Sequence, residues 1–172
     1  MNFQHLVTSA TGLIHLLASV LAVVAGTFIL ALPKGTRLHR RIGRVYAVSM
    51  VAVLITAFLI YRLFDGWGMF HWAALAATLT LLGGMIPILT RWPRPHYVVW
   101  HFCFMYWSVI GLYGALASEI AVRIPSVVME SGIPNRTFYM MAGIGTALVM
   151  LVGAWFFIKM LPRWSRQFAP SG

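Results

Sequence analysis

Five apolar stretches, each about the length of a bilayer-crossing helix, dominate this chain and decide which solvent it can fold in. They run Ser9–Leu32, His39–Tyr61, Met69–Thr90, Tyr97–Ser118 and Phe138–Met160. A hydrocarbon core ~30 Å thick needs roughly 20 residues of helix at about 1.5 Å per residue. Each stretch is apolar on every side apart from sparse polar residues, so lipid or other helices must surround it. Composition agrees. Of 172 residues, 60% are hydrophobic and only 9% charged, against the ~25% charged residues of an ordinary soluble domain. The expected fold class is all-α, a polytopic transmembrane helical bundle of about five spans forming one domain over residues 1–172.

The first stretch reads as a retained span rather than a cleavable signal. Met1 to Leu6 carries no Lys or Arg, and the apolar run that follows is too long for a signal-peptide core. Cys103 is the single cysteine, which leaves no intrachain disulfide, Cys-x-x-Cys or zinc-finger spacing to read.

Charge sets the orientation. Thirteen Lys and Arg stand against three acids, a formal charge of +10. In a soluble chain that excess would point to nucleic acid; here its distribution is topological and no nucleic-acid partner is expected. Lys34, Arg37, Arg40, Arg41 and Arg44 surround the first turn, Arg91 and Arg94 the third, and Lys159, Arg163 and Arg166 the tail. The other side has Arg62, Arg123 and Arg136 with all three acids, Asp65, Glu119 and Glu130. Basic segments stay cytoplasmic, which puts the N-terminus outside and the C-terminus inside, as an odd number of spans requires. The expected location is the bacterial inner membrane. Trp67 and Trp72 then flank an outer helix end, with Trp92, Trp100 and Trp164 near inner ends, where indole rings favour the headgroup level. The longest connection, Glu119–Thr137, contains Pro125, Gly132 and Pro134 and cannot be one continuous helix. Its apolar part, Ile124–Met129, is expected along the outer membrane surface or against the bundle.

Small residues mark packing seams, because helices in lipid associate by close backbone approach. Ser108, Gly111, Ala115 and Ser118 form one candidate seam, and Ser19, Ala22 and Gly26 another. The third span holds Gly83, Gly84 and Pro87; proline removes the hydrogen bond to Gly83, so a kink is expected there.

Ionisable groups inside a span are expensive to bury and are the first place to look for function. On the outer side are His15, His71 and the pair Glu119 and Arg123, four apart on one helical face and able to bridge. On the inner side are His39, His96 and His101. Imidazole and carboxylate together can bind zinc or relay protons. Histidines at matching depth on neighbouring helices can instead clamp a b-type haem, with His15 and His71 as one pair and His39 and His101 as the other. The bland alternative is that these histidines satisfy backbone carbonyls and that Glu119 and Arg123 cap the bundle. A third group runs from Lys34 to Arg44, with Thr36 as a helix cap. Lys34, Arg37, Arg40, Arg41 and Arg44 there suit topogenic charge and contact with anionic lipid. No nucleophile elbow, phosphate loop, His-Glu-x-x-His or dinucleotide fingerprint is present.

At these residues the chain resembles a family of small bacterial membrane proteins defined only as a domain of unknown function, number 2306. The resemblance rests on His15, on Lys34-Gly35-Thr36, His39-Arg40-Arg41, Gly43-Arg44 and Tyr46, and on a fourth-span block. That block is His101, Trp107-Ser108, Gly111-Leu112, Ala115, Glu119, Arg123 and Pro125. It covers about the first four spans. The resemblance implies a multi-span inner-membrane protein in which His15, His101, Glu119 and Arg123 matter together, and it brings no established reaction. The expectation is a small membrane protein with an intramembrane His/Glu/Arg site. The competing classes are a haem-binding electron carrier, a metal-dependent membrane enzyme and an accessory subunit of a larger membrane complex.

Overall fold

The computed structural model describes residues 9–60, 66–122, 129–130, 133–134 and 136–168. Among these, five helices carry the chain: α1 (Ala10–Ala31), α2 (Arg37–Leu59), α3 (Met69–Thr90), α4 (Tyr97–Ala121) and α5 (Arg136–Phe168). All five are long and apolar enough to cross a membrane. The expected all-α bundle class holds. Between α4 and α5, β1 (Met129–Glu130) and β2 (Ile133–Pro134) form a two-residue antiparallel ladder. Of the stretch Ile124–Met129, only Met129 falls among the described residues.

Helix ends depart from the hydrophobic boundaries because caps, not apolarity, set them. α1 starts where Ser9 Oγ accepts the Gly12 N–H at 3.1 Å. α2 begins at Arg37 rather than His39 because Thr36 Oγ1 accepts the His39 N–H at 3.1 Å, satisfying one of the first turn's free donors. Three residues beyond Ser118 extend α4, and α5 runs through Pro162 into the basic tail as far as Phe168. Polar side chains do not end a helix; they only end its hydrocarbon-facing part.

The chain divides into two compact units, Met1–Thr78 and Leu79–Gly172. In the first, α1 packs on α2. Ala22, Ala25, Gly26 and Ile29 are buried on α1, and Tyr46, Ser49, Met50 and Val53 on α2. Both sets follow the i, i+3, i+4, i+7 pattern of a single helical stripe. The expected seam through Ala22 and Gly26 is therefore present. The connecting turn needs Gly35, whose φ of 77° lies in the left-handed region that side chains disfavour.

In the second unit α4 packs on α5. Ser118 Oγ donates to the Ala142 carbonyl at 2.9 Å, and Tyr106 OH donates to the Gly153 carbonyl at 2.8 Å. Gly145 lies so near α4 that a Cβ there would sit 3.0 Å from the Ala117 carbonyl oxygen. The expected α4 seam is half right. Ser108 and Ser118 are buried, but Gly111 faces open space and Ala115 is exposed. The close approach instead uses Gly114, against Thr146.

What remains exposed is apolar. Val48 is 71% exposed, and Leu151 68%. Side chains of this kind along the length of every helix require a hydrocarbon solvent, so this is a multi-pass membrane protein in contact with the lipid bilayer. Trp67, Trp72, Trp92 and Trp100 are exposed near helix ends, as interfacial anchors should be. Trp164 differs: its ring packs on Phe102 at 4.7 Å and on Tyr106 at 5.6 Å.

Candidate functional site

Three of the histidines singled out in the sequence have partners that fix their tautomers. His15, half-buried in α1, lies 2.8 Å through Nδ1 from Thr56 Oγ1 on α2. That hydroxyl also lies 2.7 Å from the Ala52 carbonyl and 3.0 Å from that of Val53. A carbonyl can only accept, so the single hydroxyl proton is committed there and Nδ1 of His15 is the donor. Nε2 of His15 then carries the lone pair.

His101, one turn into α4, makes the same choice by a different route. Its Nδ1 lies 2.7 Å from the Gly84 carbonyl of α3. The carbonyl accepts, Nδ1 donates, and Nε2 again carries the lone pair. The backbone at this point suits the contact. Pro87 sits within α3 and leaves the carbonyl of Gly83, the neighbour of Gly84, without its helical N–H. Gly83 and Gly84 let α4 approach, since a Cβ on Gly84 would meet Met105 Sδ at 2.6 Å.

His71 is held the opposite way. It is 2% exposed, at the third position of α3, and its Nδ1 accepts the Gly68 N–H at 3.0 Å while its own N–H bonds back to the Gly68 carbonyl. The ring-to-Gly68 bond is one half of a capping box, with imidazole in place of a carboxylate. The proton of the neutral ring therefore sits on Nε2. The imidazole also stacks on Trp67, with centroids 5.0 Å apart. Of the pair His15 and His71, only His15 presents a lone pair at Nε2.

The remaining predicted residues are placed as follows. His39 lies half-buried in the first turn of α2, in the first unit, and His101 belongs to the second. His96 is exposed at the N-cap position of α4 without a side-chain capping bond. Glu119 is half-buried in the last turn of α4, and Arg123 lies outside the described residues. Among the described residues no three His, Cys, Asp or Glu side chains come together as a metal cluster.

In the basic turn the five cations divide. Lys34 Nζ donates to the Ile29 carbonyl at 2.7 Å and the Leu30 carbonyl at 2.8 Å, closing the C-terminus of α1. Burial pulls its ammonium pKa below the usual lysine value. Arg37, Arg40, Arg41 and Arg44 are exposed. Lys34 is thus spent on the protein's own backbone, while the arginines face outward.

The sequence did not single out Thr56, which orients His15, or Thr146, which pairs with Ser118. A family model described as Predicted membrane protein (DUF2306) matches residues 12–158, most of the chain. The chain belongs to this family. The DUF2306 match includes His15, the basic turn, His101 and Glu119, and it continues into α5, beyond the four spans on which the resemblance was read. No curated protein and no solved structure matches the chain.

Proposed function

We propose that this DUF2306 protein is a bacterial inner-membrane protein whose working groups are His15 and His101, each of which would hold a b-type haem. One observation carries the reading. Both imidazoles lie in membrane spans, and both are tied through Nδ1–H to an oxygen on a neighbouring helix, leaving Nε2 basic. Metal-ligating histidines are oriented in this way, by donating the distal N–H to a carbonyl or similar acceptor. Haem ranks ahead of zinc on the same grounds. Haem needs one or two protein ligands, whereas zinc takes three or four. When bound, haem would supply one-electron chemistry; the protein's part is to fix two imidazoles and exclude water.

The positive-inside pattern gives the accompanying topology, N-terminus outside and C-terminus in the cytoplasm. In that orientation α1 enters from outside, so His15 lies in the outer leaflet; α4 enters from the cytoplasm, so His101 lies in the inner one. Haem held at each histidine would supply one-electron transfer, the function proposed for these sites. Glu119, in the last turn of α4, and Arg123, four residues further along the sequence, are proposed to pair near the outer surface. The exposed arginines of the first turn meet anionic lipid.

The test is the visible spectrum of protein expressed with ample haem, with iron and zinc measured on the same sample. Wild type should show a Soret band that falls to about half in either His15→Ala or His101→Ala and disappears in the double variant. A haem-supplied wild type without a Soret band sinks the proposal; stoichiometric zinc instead would favour the metalloenzyme class.

A further inference from the structure

The four arginines at the start of α2 are not scattered. Arg37, Arg40, Arg41 and Arg44 follow the spacing i, i+3, i+4, i+7, so at about 100° per residue they lie on one face of the helix. The buried stripe of Tyr46, Ser49, Met50 and Val53 centres on the opposite side, about 180° away. The arginine face therefore points away from α1, and all four side chains are exposed.

Membrane orientation does not call for this arrangement. Basic residues anywhere in a short cytoplasmic turn fix topology. Like charges three and four apart on one helix repel, so crowding four cations onto a single stripe is unfavourable by itself. An anion lying among them reverses the sign. No acid occurs anywhere in α2 to do so, and Lys34 is turned back onto the carbonyls of α1. Guanidinium is also the group best shaped to hold phosphate oxygens in pairs.

The same face then changes character without turning. Val48, Val51, Ile55 and Leu59 continue it along α2, and all four are exposed. From Arg44 to Ile55 is about 17 Å of helix, close to the depth of one leaflet of a ~30 Å hydrocarbon core. A basic head followed by one leaflet's length of smooth aliphatic surface has the polarity profile of a phospholipid.

We propose that this face of α2 is a binding site for an anionic phospholipid, with Arg37, Arg40, Arg41 and Arg44 holding its phosphate and Val48, Val51 and Ile55 carrying an acyl chain. The site rests on α2 crossing the bilayer and is independent of whether His15 or His101 binds haem. A missing Soret band leaves it untouched, and its own failure leaves the haem reading standing.

The experiment is native mass spectrometry and thermal melting of the full chain in neutral detergent. Dioleoyl phosphatidylglycerol, dioleoyl phosphatidylcholine, dihexanoyl phosphatidylglycerol and inorganic phosphate are titrated separately. Dioleoyl phosphatidylglycerol should stay bound and raise the melting temperature, at least tenfold more tightly than the choline lipid, and added salt should weaken it. Exchanging neighbours, Arg37→Leu/Leu38→Arg with Arg44→Val/Val45→Arg, keeps every charge in the turn but rotates two of them off the face. That variant should bind the glycerol lipid at least tenfold more weakly. Equal binding of the two dioleoyl lipids by wild type would overturn the proposal, and this arm needs no variant to fold. So would wild-type affinity in the exchanged variant, or protection by phosphate or the short-chain lipid at the same concentration as dioleoyl phosphatidylglycerol.

Discussion

His101 donates its Nδ1 proton to the Gly84 carbonyl across 2.7 Å, three residues before the proline inside α3. The contact joins two features that sequence presents separately, a histidine in one span and the Gly83-Gly84 pair ahead of Pro87 in another. A side chain bonded to a carbonyl in the turn before the proline ties α4 to α3 where the helical ladder is one bond short. Removing it should loosen α3 locally. His101→Ala should lower stability by about 1–2 kcal/mol, the net value of one partly buried hydrogen bond plus lost packing. His101→Asn, whose amide can still donate, should recover part of this. Thermal melts in detergent, without added haem, would show it; equal melting of wild type and His101→Ala would contradict the role assigned to this bond.

The tautomers make a sharper prediction. His15 and His101 should be protonated at Nδ1, and His71 at Nε2, because the first two donate from Nδ1 while the third accepts there. Nitrogen-15 NMR on histidine-labelled protein distinguishes a protonated ring nitrogen from a bare one. Single His→Gln variants assign the signals. The expectation is two rings of one kind and one of the other among these three. His71 with the same pattern as His101 would remove the contrast on which its capping role rests.

Glycines offer a paired test of helix packing. At Gly145 a new Cβ would press on the Ala117 backbone at 3.0 Å, and backbone cannot rotate aside. At Gly111 a Cβ meets nothing within 4 Å. Gly145→Ala should destabilise by about 1–3 kcal/mol as α4 and α5 are forced apart. Gly111→Ala should be neutral or slightly stabilising through reduced backbone freedom, by about 0.4–1 kcal/mol. If the two variants melt together, the α4–α5 approach described here is wrong.

The spans were legible because length and apolarity are local properties that need no knowledge of neighbours. Partner choice was not, and His15 shows why. His15 lies nineteen residues before Lys34, at the middle of the α1–α2 turn, and residue 53 lies nineteen after it. An antiparallel hairpin puts those positions at equal depth, so a polar residue near 53 was the signal for Thr56. Depth alone does not fix rotation about the helix axis, however, and rotation decides which residue at that depth faces inward. His71 misled for a different reason: it starts a helix, and a capping imidazole looks in sequence like any interfacial histidine. Sequence reads the arginines as topogenic charge and anionic-lipid contact, but not as a face, which acquires meaning only once the buried side of α2 is known.

Lys34 yields a pH dependence whose sign can be worked out. Burial lowers its pKa in the folded protein, whereas the unfolded chain keeps the ordinary value near 10.5. Between the lowered value and about 10.5 the unfolded chain therefore holds more protons than the folded one, and stability from this residue rises with pH. The neutral amine still donates to the Ile29 and Leu30 carbonyls, so the helix cap survives deprotonation. Lys34→Arg stays charged throughout this range and lacks the gain. The difference in melting temperature between wild type and Lys34→Arg should widen in favour of wild type from pH 8 toward pH 11, while tyrosine titration, common to both, cancels. A difference that stays flat or narrows over that range would show that the Lys34 ammonium is not desolvated at the end of α1.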